Sequence, residues 1–176
     1  MTYSIQHILE IVNGKSLNTV LLDTQIERLL FDSRHLVFPT RTLFFAFKSN
    51  RQNGHQFIGE LYEQGVKNFI ITQKVDIEKY PAANFIWVKN SVKALQQLAT
   101  FHRHQFKLPV IGITGSNGKT IIKEWLFQLL ATDFQIARNP GSYNSQIGVP
   151  LSVWQLNETH NLGTVSYTHL TLPTKA

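Results

Sequence analysis

The sequence contains no cysteine, and this absence excludes disulfides, thiolate metal sites and cysteine nucleophiles. It also lacks any apolar run close to the ~20 residues that a membrane-spanning helix requires. The first ten residues show no basic segment followed by an apolar stretch, so no signal peptide is expected. We therefore expect a cytoplasmic protein that does not span a membrane.

Positive charge is in moderate excess, with 17 Lys and Arg against 11 Asp and Glu and a formal net charge of +6. A nucleotide, a sugar diphosphate or a nucleic acid would each suit this charge, as would a basic surface without a partner. The basic residues are scattered and form no single stripe, which disfavours nucleic acid. Hydrophobic residues at 43% and charged residues at 16% are typical of globular domains.

The first part of the chain alternates between strand-like and helical patterns, which indicates an α/β domain. A helix is predicted at residues 5–12, with Ser4 as its cap and Asn13-Gly14 at its end. Strands are predicted at residues 20–22, 29–31, 43–47, 68–72 and 84–88. Further helices are predicted at residues 57–64 and from Ser91 onward. These elements define a predicted first domain of residues 1–106.

A second α/β pattern follows. Residues 109–114 (PVIGIT) predict a buried strand, residues 119–130 a helix and residues 134–137 another strand. We interpret residues 107–164 as the truncated beginning of a second domain. The fold class is therefore α/β, in two domains.

Between the predicted strand and helix, residues 112–120 carry Gly-Ile-Thr-Gly-Ser-Asn-Gly-Lys-Thr. Glycines allow positive φ and bring backbone N–H groups close to phosphate oxygens, and the N-terminus of the helix favours negative charge. A strict Walker A pattern requires glycine at position 113, where this chain has Ile113. The strand–loop–helix context and the Gly-Lys-Thr sequence nevertheless predict a phosphate-binding loop. The expected ATP-binding residues are Gly115, Ser116, Asn117, Gly118, Lys119 and Thr120.

Within this loop, Lys119 and Thr120 are the expected catalytic residues. The ammonium of Lys119 can offset charge on the β- and γ-phosphates, and the hydroxyl of Thr120 can bind Mg²⁺. ATP and Mg²⁺ are therefore the expected cofactors.

The Gly-x-Thr-Gly-x-Asn-Gly-Lys-Thr form of the loop resembles that of the Mur ligases and their folylpolyglutamate synthetase relatives. Residues 32–34 (DSR) followed by residues 43–47 (LFFAF) resemble a stretch of the first Mur domain. Residues 53–55 (NGH) stand where the family usually has Asp-Gly-His, so position 53 departs from the pattern. Residues 143–150 (YNSQIGVP) resemble the family's N-N-x-I-G-V-P segment, with Ser145 in place of its second asparagine.

This resemblance implies an ATP-dependent enzyme of three domains that forms an amide through an acyl phosphate in peptidoglycan synthesis. It implies that the first domain, here residues 1–106, binds the UDP end of a UDP-N-acetylmuramoyl-peptide. The member type most similar to this chain adds D-alanyl-D-alanine, and in some bacteria it is fused to an alanine racemase domain. The substrate-binding residues that the resemblance implies are Ser33, Arg34, His55, Asn144 and Ser145.

Other functions remain open from the residues alone. Within the family, the ligase that adds the third residue, a diamino acid or lysine, shares the DSR and phosphate-loop segments. A P-loop kinase is an alternative of another class, although such proteins carry the loop near the N-terminus. A non-catalytic nucleotide-sugar binding module is a further alternative.

The C-terminal segment does not fit the family. Residues 165–174 (VSYTHLTLPT) resemble one reading frame of a transposase adapter used in sequencing libraries. We therefore interpret residues 165–176 as a non-native tail and expect the fragment itself to be inactive. The three tryptophans, Trp87, Trp125 and Trp154, lie in apolar runs and are expected in the core. His102 and His104 are two residues apart on a helix, so they are not expected to form a metal pair.

Overall fold

The structure, a computed structural model, describes residues 1–18, 20–49, 52–139, 143 and 145–166. The chain divides into two compact units, Met1–Leu98 and Ala99–Ala176. The division falls within the helix Ser91–His104, and the predicted boundary at residue 106 lies just beyond the end of that helix.

The described residues of the first unit form a five-stranded sheet and a small two-stranded one. The strands of the unit are β1 (Tyr3–Ser4), β2 (Lys15–Asn18), β3 (Gln25–Ile26), β4 (Arg28–Leu30), β5 (Thr42–Phe45), β6 (Asn68–Ile71) and β7 (Asn84–Trp87). In the large sheet the strand order is β2-β7-β6-β5-β4. Strands β4, β5, β6 and β7 are parallel to one another, and β2 is antiparallel to β7. Strand β1 pairs antiparallel with β3.

The helices of this unit begin where the sequence predicts. Helix α1 (Ile5–Ile11) starts after Ser4, whose hydroxyl accepts a hydrogen bond from the backbone N–H of His7. Helix α2 (Ile58–Glu63) follows a short 3₁₀ turn, and Gly65, at φ 99°, lies just beyond its end. Helix α3 (Ser91–His104) carries Ala94, Leu95 and Leu98 in the core. The predicted α/β class is confirmed for this unit.

The core lies around the parallel strands. Phe69 of β6 stacks on Phe85 of β7, with ring centroids 5.2 Å apart, and Phe44 of β5 meets Phe69 edge to face. The runs on these strands are apolar at successive positions, as expected for strands covered on both faces. The buried members of one core cluster are Leu30, Phe44, Ala46, Ile58, Leu61, Val66, Phe69, Ile71, Ala83 and Phe85.

The predicted strand at residues 20–22 is wrong, because a side chain takes the hydrogen bonds that a neighbouring strand would have made. The backbone N–H groups of Val20 and Leu21 both donate to Oδ1 of the buried Asn84, at 2.8 and 3.2 Å. Nδ2 of Asn84 in turn donates to Oδ1 of Asn68, at 2.7 Å. The short apolar run is therefore an exposed loop that two buried amides hold against the sheet.

The described residues of the second unit form a three-stranded parallel sheet with two α-helices beyond α3. Its elements are β8 (Val110–Ile113), α4 (Lys119–Leu130), β9 (Ile136–Arg138), α5 (Gly148–Val153) and β10 (Leu162–Ser166). The strand order is β8-β10-β9. Helix α4 has the predicted bounds, and β8 lies within the predicted strand. Neither α5 nor β10 was predicted, and β10 continues into the first two residues of the segment interpreted as a tail.

Helix α4 has an unusual distribution of side chains. Lys123 is 0% exposed, whereas Trp125 is 62% and Leu129 is 72% exposed. Ile121 and Ile122 are exposed as well. The expectation that Trp125 lies in the core is therefore wrong, whereas Trp154 is buried and Trp87 is half-buried.

The two sheets should differ in their protection from hydrogen exchange. In the part of the chain that the structure describes, β8 pairs only with β10, and Val110 is 42% exposed, whereas β6 is buried and pairs on both sides. We expect the amides of residues 69–71 to exchange far more slowly than those of residues 111–113 in the 176-residue chain. Amide exchange followed by NMR measures this difference. Equal, strong protection of β8 would contradict the prediction.

Candidate functional site

The carboxyl ends of the parallel strands in the first unit carry a row of basic side chains. Arg34 follows β4, Lys48 follows β5, Lys74 follows β6 and Lys89 follows β7, and all four are exposed. Because parallel strands end at the same edge of a sheet, these turns share one edge, hereafter the basic edge. In open α/β sheets ligands bind in the crevice outside the carboxyl ends of the strands.

The turn after β4 is shaped by Asp32. Its Oδ1 accepts a hydrogen bond from the backbone N–H of Arg34, at 3.1 Å, and caps the 3₁₀ helix Ser33–His35. The guanidinium of Arg34 makes a two-point contact with the same carboxylate, Nε to Oδ1 at 2.9 Å and an Nη to Oδ2 at 2.6 Å. The hydrogen bond from Arg34 lowers the pKa of Asp32 to about 2. Asp32 therefore stays ionised and orients an exposed guanidinium at the basic edge.

The predicted site residue His55 lies where the loop after β5 meets the turn after β6. Its Nε2 faces the backbone N–H groups of Thr72 and Gln73, at 3.0 and 3.2 Å. Its Nδ1 lies 2.8 Å from Oδ1 of Asn53. Burial, together with the charge of Lys48, lowers the pKa of His55. Both ring nitrogens are thus engaged within the protein, and contact of His55 with a substrate stays a prediction.

The loop that brings His55 to this point requires glycine at position 54. The backbone N–H of Gly54 donates to the carbonyl of Phe47 at 2.7 Å. A Cβ on Gly54 would lie 3.0 Å from the backbone nitrogen and oxygen of Phe47. A larger residue at position 54 would therefore push the backbone at residue 54 away from the backbone at residue 47.

In the second unit, the phosphate loop has the predicted strand–loop–helix geometry. Gly115 and Gly118 have φ of 150° and 78°, values that side-chain-bearing residues rarely adopt. Residues 114–118 are exposed. The ammonium of Lys119 lies across the loop and donates to the carbonyl of Gly115 at 2.6 Å. Thr120 is the second residue of α4 and is exposed, so its hydroxyl is open to a ligand at this helix N-terminus.

A buried lysine connects the loop's helix to the end of β9. Nζ of Lys123 donates to the backbone carbonyl of Asn139 at 2.6 Å, and burial lowers the pKa of this ammonium. The side chain of Asn139 donates to the carbonyl of Tyr143 at 2.9 Å. Asn139 thereby links Tyr143 to the helix that carries Lys119 and Thr120.

The remaining two predicted site residues are Asn144 and Ser145. Asn144 lies outside the described residues. Ser145 is exposed, and its hydroxyl accepts a hydrogen bond from the backbone N–H of Gly148 at 3.0 Å. Gly148 is also required here, because a Cβ would lie 2.9 Å from backbone atoms of Tyr143.

Sequence reasoning missed Lys48, Lys74 and Lys89. Each is a lone basic residue in a turn, and only the parallel order of the strands places them at one edge.

Sequence reasoning also missed a cavity of about 280 Å³ in the second unit, whose lining includes Val110, Ala137, Leu156 and Gly163. Arg103 and Arg138 line this cavity as well. In the described part of the chain no cluster of three or more His, Asp or Glu could hold a metal ion, and no helix there is long and apolar enough to cross a membrane.

No family model matches the sequence, whereas curated proteins and solved structures do. The UDP-N-acetylmuramoyl-tripeptide–D-alanyl-D-alanine ligase of Bacillus subtilis (strain 168) is 33% identical over 157 residues, which are 88% of this chain and 33% of that protein. The ligase of the same name from Borreliella burgdorferi is 38% identical over 118 residues, covering 64% of this chain and 25% of that protein. This chain therefore spans a third or less of the length of these two relatives.

Solved structures agree with these relatives. Crystal structure I of MurF from Acinetobacter baumannii has a TM-score of 0.86 and 28% identity, and the match covers 96% of this chain and 36% of that one. MurF ligase from Thermotoga maritima, in complex with ADP, has a TM-score of 0.69 and 29% identity, over 80% of this chain and 31% of that one.

These relatives carry the name of the ligase type that the sequence favours. The resemblance rested on the phosphate loop, on residues 32–34 with 43–47, on residues 53–55 and on residues 143–150. Over 88% of its length the chain is similar to a UDP-N-acetylmuramoyl-tripeptide–D-alanyl-D-alanine ligase, a Mur ligase of which it matches about a third.

Proposed function

We propose that this chain is part of an ATP-dependent ligase that joins D-alanyl-D-alanine to a UDP-N-acetylmuramoyl-tripeptide. The first unit would bind the UDP end of that substrate and the second would bind ATP. The observation that carries the proposal is the presence, in one chain, of a phosphate loop and of a separate α/β unit with its own basic edge. The proposal includes the cytoplasmic location expected from the sequence, where ATP and UDP-linked precursors are available.

The basic edge supports the assignment of the UDP end to the first unit. A diphosphate carries two negative charges close together, and the turns after four parallel strands supply Arg34, Lys48, Lys74 and Lys89. Arginine can contact phosphate oxygens with two N–H groups at once, whereas lysine acts as a point charge. Ser33 lies beside Arg34 in the same turn and is proposed as a further substrate contact.

The phosphate loop supports the assignment of ATP to the second unit. Gly115 and Gly118 already have the positive φ that turns backbone N–H groups toward phosphate, and α4 begins directly after them. Lys119 would exchange its contact with the carbonyl of Gly115 for phosphate oxygens. Mg²⁺, when bound with ATP, would offset charge on the β- and γ-phosphates, and Thr120 would be this chain's ligand to it.

In the proposed reaction, a carboxylate oxygen of the tripeptide attacks the γ-phosphorus of ATP, and the bond to the β-phosphate oxygen breaks to release ADP. The amine of D-alanyl-D-alanine then attacks the acyl carbon, loses a proton and displaces phosphate, which leaves an amide. Lys119 and the loop N–H groups would stabilise the charge on the transferred phosphoryl group. Asn144 and Ser145 are proposed to contact the substrate beside this loop.

The predicted domain bounds, 1–106 and 107–164, are kept as part of this proposal, as is the non-native character of residues 165–176. The fused racemase domain likewise stays a prediction. With only about a third of the length of its relatives, the fragment itself is proposed to be inactive.

In the complete ligase that carries this segment, Lys119→Ala should abolish ADP release, because the charge that faces the γ-phosphate is removed. A loss of about 100-fold or more in kcat is expected. A coupled ADP assay measures it, and Lys107→Ala, which removes an exposed lysine that precedes β8, serves as the control. Near-normal turnover of Lys119→Ala would contradict the role of the loop.

In the 176-residue chain, Arg34→Ala should weaken binding of UDP-N-acetylmuramoyl-tripeptide by roughly tenfold, because a charge-assisted contact to an anionic oxygen is lost. Isothermal titration calorimetry measures the affinity. Arg41→Ala is the matched control, since Arg41 is an exposed arginine paired with Glu27 just before β5, at the opposite edge of the sheet. Equal affinities of the wild type and Arg34→Ala would exclude this role for Arg34.

A further inference from the structure

The contacts of His55 define its protonation state by geometry. Backbone N–H groups can only donate, and two of them, from Thr72 and Gln73, meet Nε2 at 3.0 and 3.2 Å. Nε2 must therefore carry a lone pair and no proton. The ring is neutral, and its single proton lies on Nδ1.

The side chain of Asn53 accepts the hydrogen bond from this N–H group. Its Oδ1 lies 2.8 Å from Nδ1 of His55 and also accepts a hydrogen bond from the backbone N–H of the same residue at 3.2 Å. The orientation of the Asn53 amide is fixed at its other end, because Nδ2 donates to Oε1 of Gln73 at 3.1 Å. Asn53 and His55 thus both connect the loop after β5 to the turn after β6.

These two segments carry Lys48 and Lys74, two of the four cations of the basic edge. Lys48 forms an isolated bridge with Asn53, opposite it in the loop. Displacing either segment would move its lysine relative to the other. The spacing of these two charges therefore depends on the contacts of the imidazole.

We propose that His55 is a positioning residue, a neutral imidazole brace that holds the loop after β5 against the turn after β6 and so fixes the spacing of the basic edge. The role in substrate binding rests on the proposed function, since it takes this edge as the site of the UDP diphosphate. Asn53 is the second part of the brace. The aspartate usual at this position in the family would place a carboxylate against Nδ1 and favour the imidazolium, whereas the amide favours the neutral ring.

The brace and a direct ligand role predict opposite effects of acid. Protonation of Nε2 would make this nitrogen a donor that faces the two backbone N–H donors of Thr72 and Gln73. Both hydrogen bonds would be lost, and the loop after β5 would separate from the turn after β6. If His55 instead contacted the diphosphate, protonation would add a positive charge and tighten binding. Burial lowers the pKa of the ring, and the nearby charge of Lys48 lowers that pKa further. In the described residues no ion pair joins His55 to a carboxylate.

The direction of the pKa shift of His55 sets the sign of the change in folding stability with pH. The pKa of His55 in the folded chain lies below its ordinary value of 6.5, so the unfolded chain binds more protons between the two values. The contribution of the brace to stability is complete above pH 6.5 and is lost as the pH falls through the folded pKa.

The first test is the tautomer. Long-range ¹H–¹⁵N NMR correlations of the imidazole in the 176-residue chain should show a proton on Nδ1 and none on Nε2 at pH 7.5. Asn53→Asp should raise the pKa of His55 in an NMR titration, and His104→Gln, which removes an exposed histidine at the end of α3, should leave it unchanged. A proton on Nε2, or an unchanged pKa in Asn53→Asp, would overturn the proposal.

The second test is the affinity for UDP-N-acetylmuramoyl-tripeptide as a function of pH. The diphosphate diester keeps its charge throughout, so a change reports on the protein. Wild-type affinity should fall severalfold as the pH drops through the pKa of His55, and in Asn53→Asp the fall should begin at higher pH. His55→Gln, which has no group that titrates there, should bind without this fall, whereas His104→Gln should keep it.

Tighter binding of the wild type in acid would show a direct ligand role and overturn the brace. Failure of the wild-type chain to bind the substrate at any pH would contradict the proposed function of the edge, and with it the role of the brace in binding. The tautomer measurement would then still decide whether the brace exists.

Discussion

Four neighbouring strands of the first unit run in one direction, and this constraint determines where polar chemistry can collect. The interior of each strand is apolar on both faces, so polar side chains are largely confined to the turns. Because β4, β5, β6 and β7 are parallel, the turns after them meet at one edge. A row of cations separated along the sequence thus becomes one surface, and the contacts of Asp32, Asn53 and His55 order parts of it.

The opposite edge of the same sheet is polar in a different way. Asn68 and Asn84 begin β6 and β7 and are buried, and their side chains bond to each other. Asn84 also accepts hydrogen bonds from the backbone N–H groups of residues 20 and 21. Amides whose hydrogen bonds are satisfied can be buried without a net charge. The starts of β6 and β7 are therefore held by buried neutral groups, whereas the turns after the strands carry exposed cations.

The proposed phosphate site of the second unit depends on backbone geometry more than on side-chain charge. Gly115 and Gly118 hold the loop in conformations that favour glycine, and α4 directs its N-terminus at the same place. The buried ammonium of Lys123 holds the end of β9 against this helix through the carbonyl of Asn139. The exposed apolar side chains of α4, among them Trp125 and Leu129, have no cover among the described residues, and this unit spans only part of what its relatives contain.

Much of this arrangement could be predicted from the sequence, and the failures have physical causes. The helix at residues 119–130, the strand before it and the cap at Ser4 follow from local rules, since glycine, lysine and serine act on their immediate neighbours. The strand predicted at residues 20–22 failed because Asn84, far away in sequence, supplied the hydrogen bonds. Trp125 was misplaced because Lys123, and not an apolar residue, is buried in α4. The basic edge was missed because lone lysines in separate turns carry no local signal; only the strand order brings them together.

The central claim is that the basic edge of the first unit binds the UDP end of the substrate. It is tested most directly by chemical-shift mapping of UDP-N-acetylmuramoyl-tripeptide on the ¹⁵N-labelled 176-residue chain. The largest shifts in the first unit should fall in the turns after the four parallel strands, at residues 32–34, 46–49, 72–74 and 88–90. Shifts concentrated at the opposite edge, around Asn68 and Asn84, or no shifts at saturating substrate, would contradict the claim.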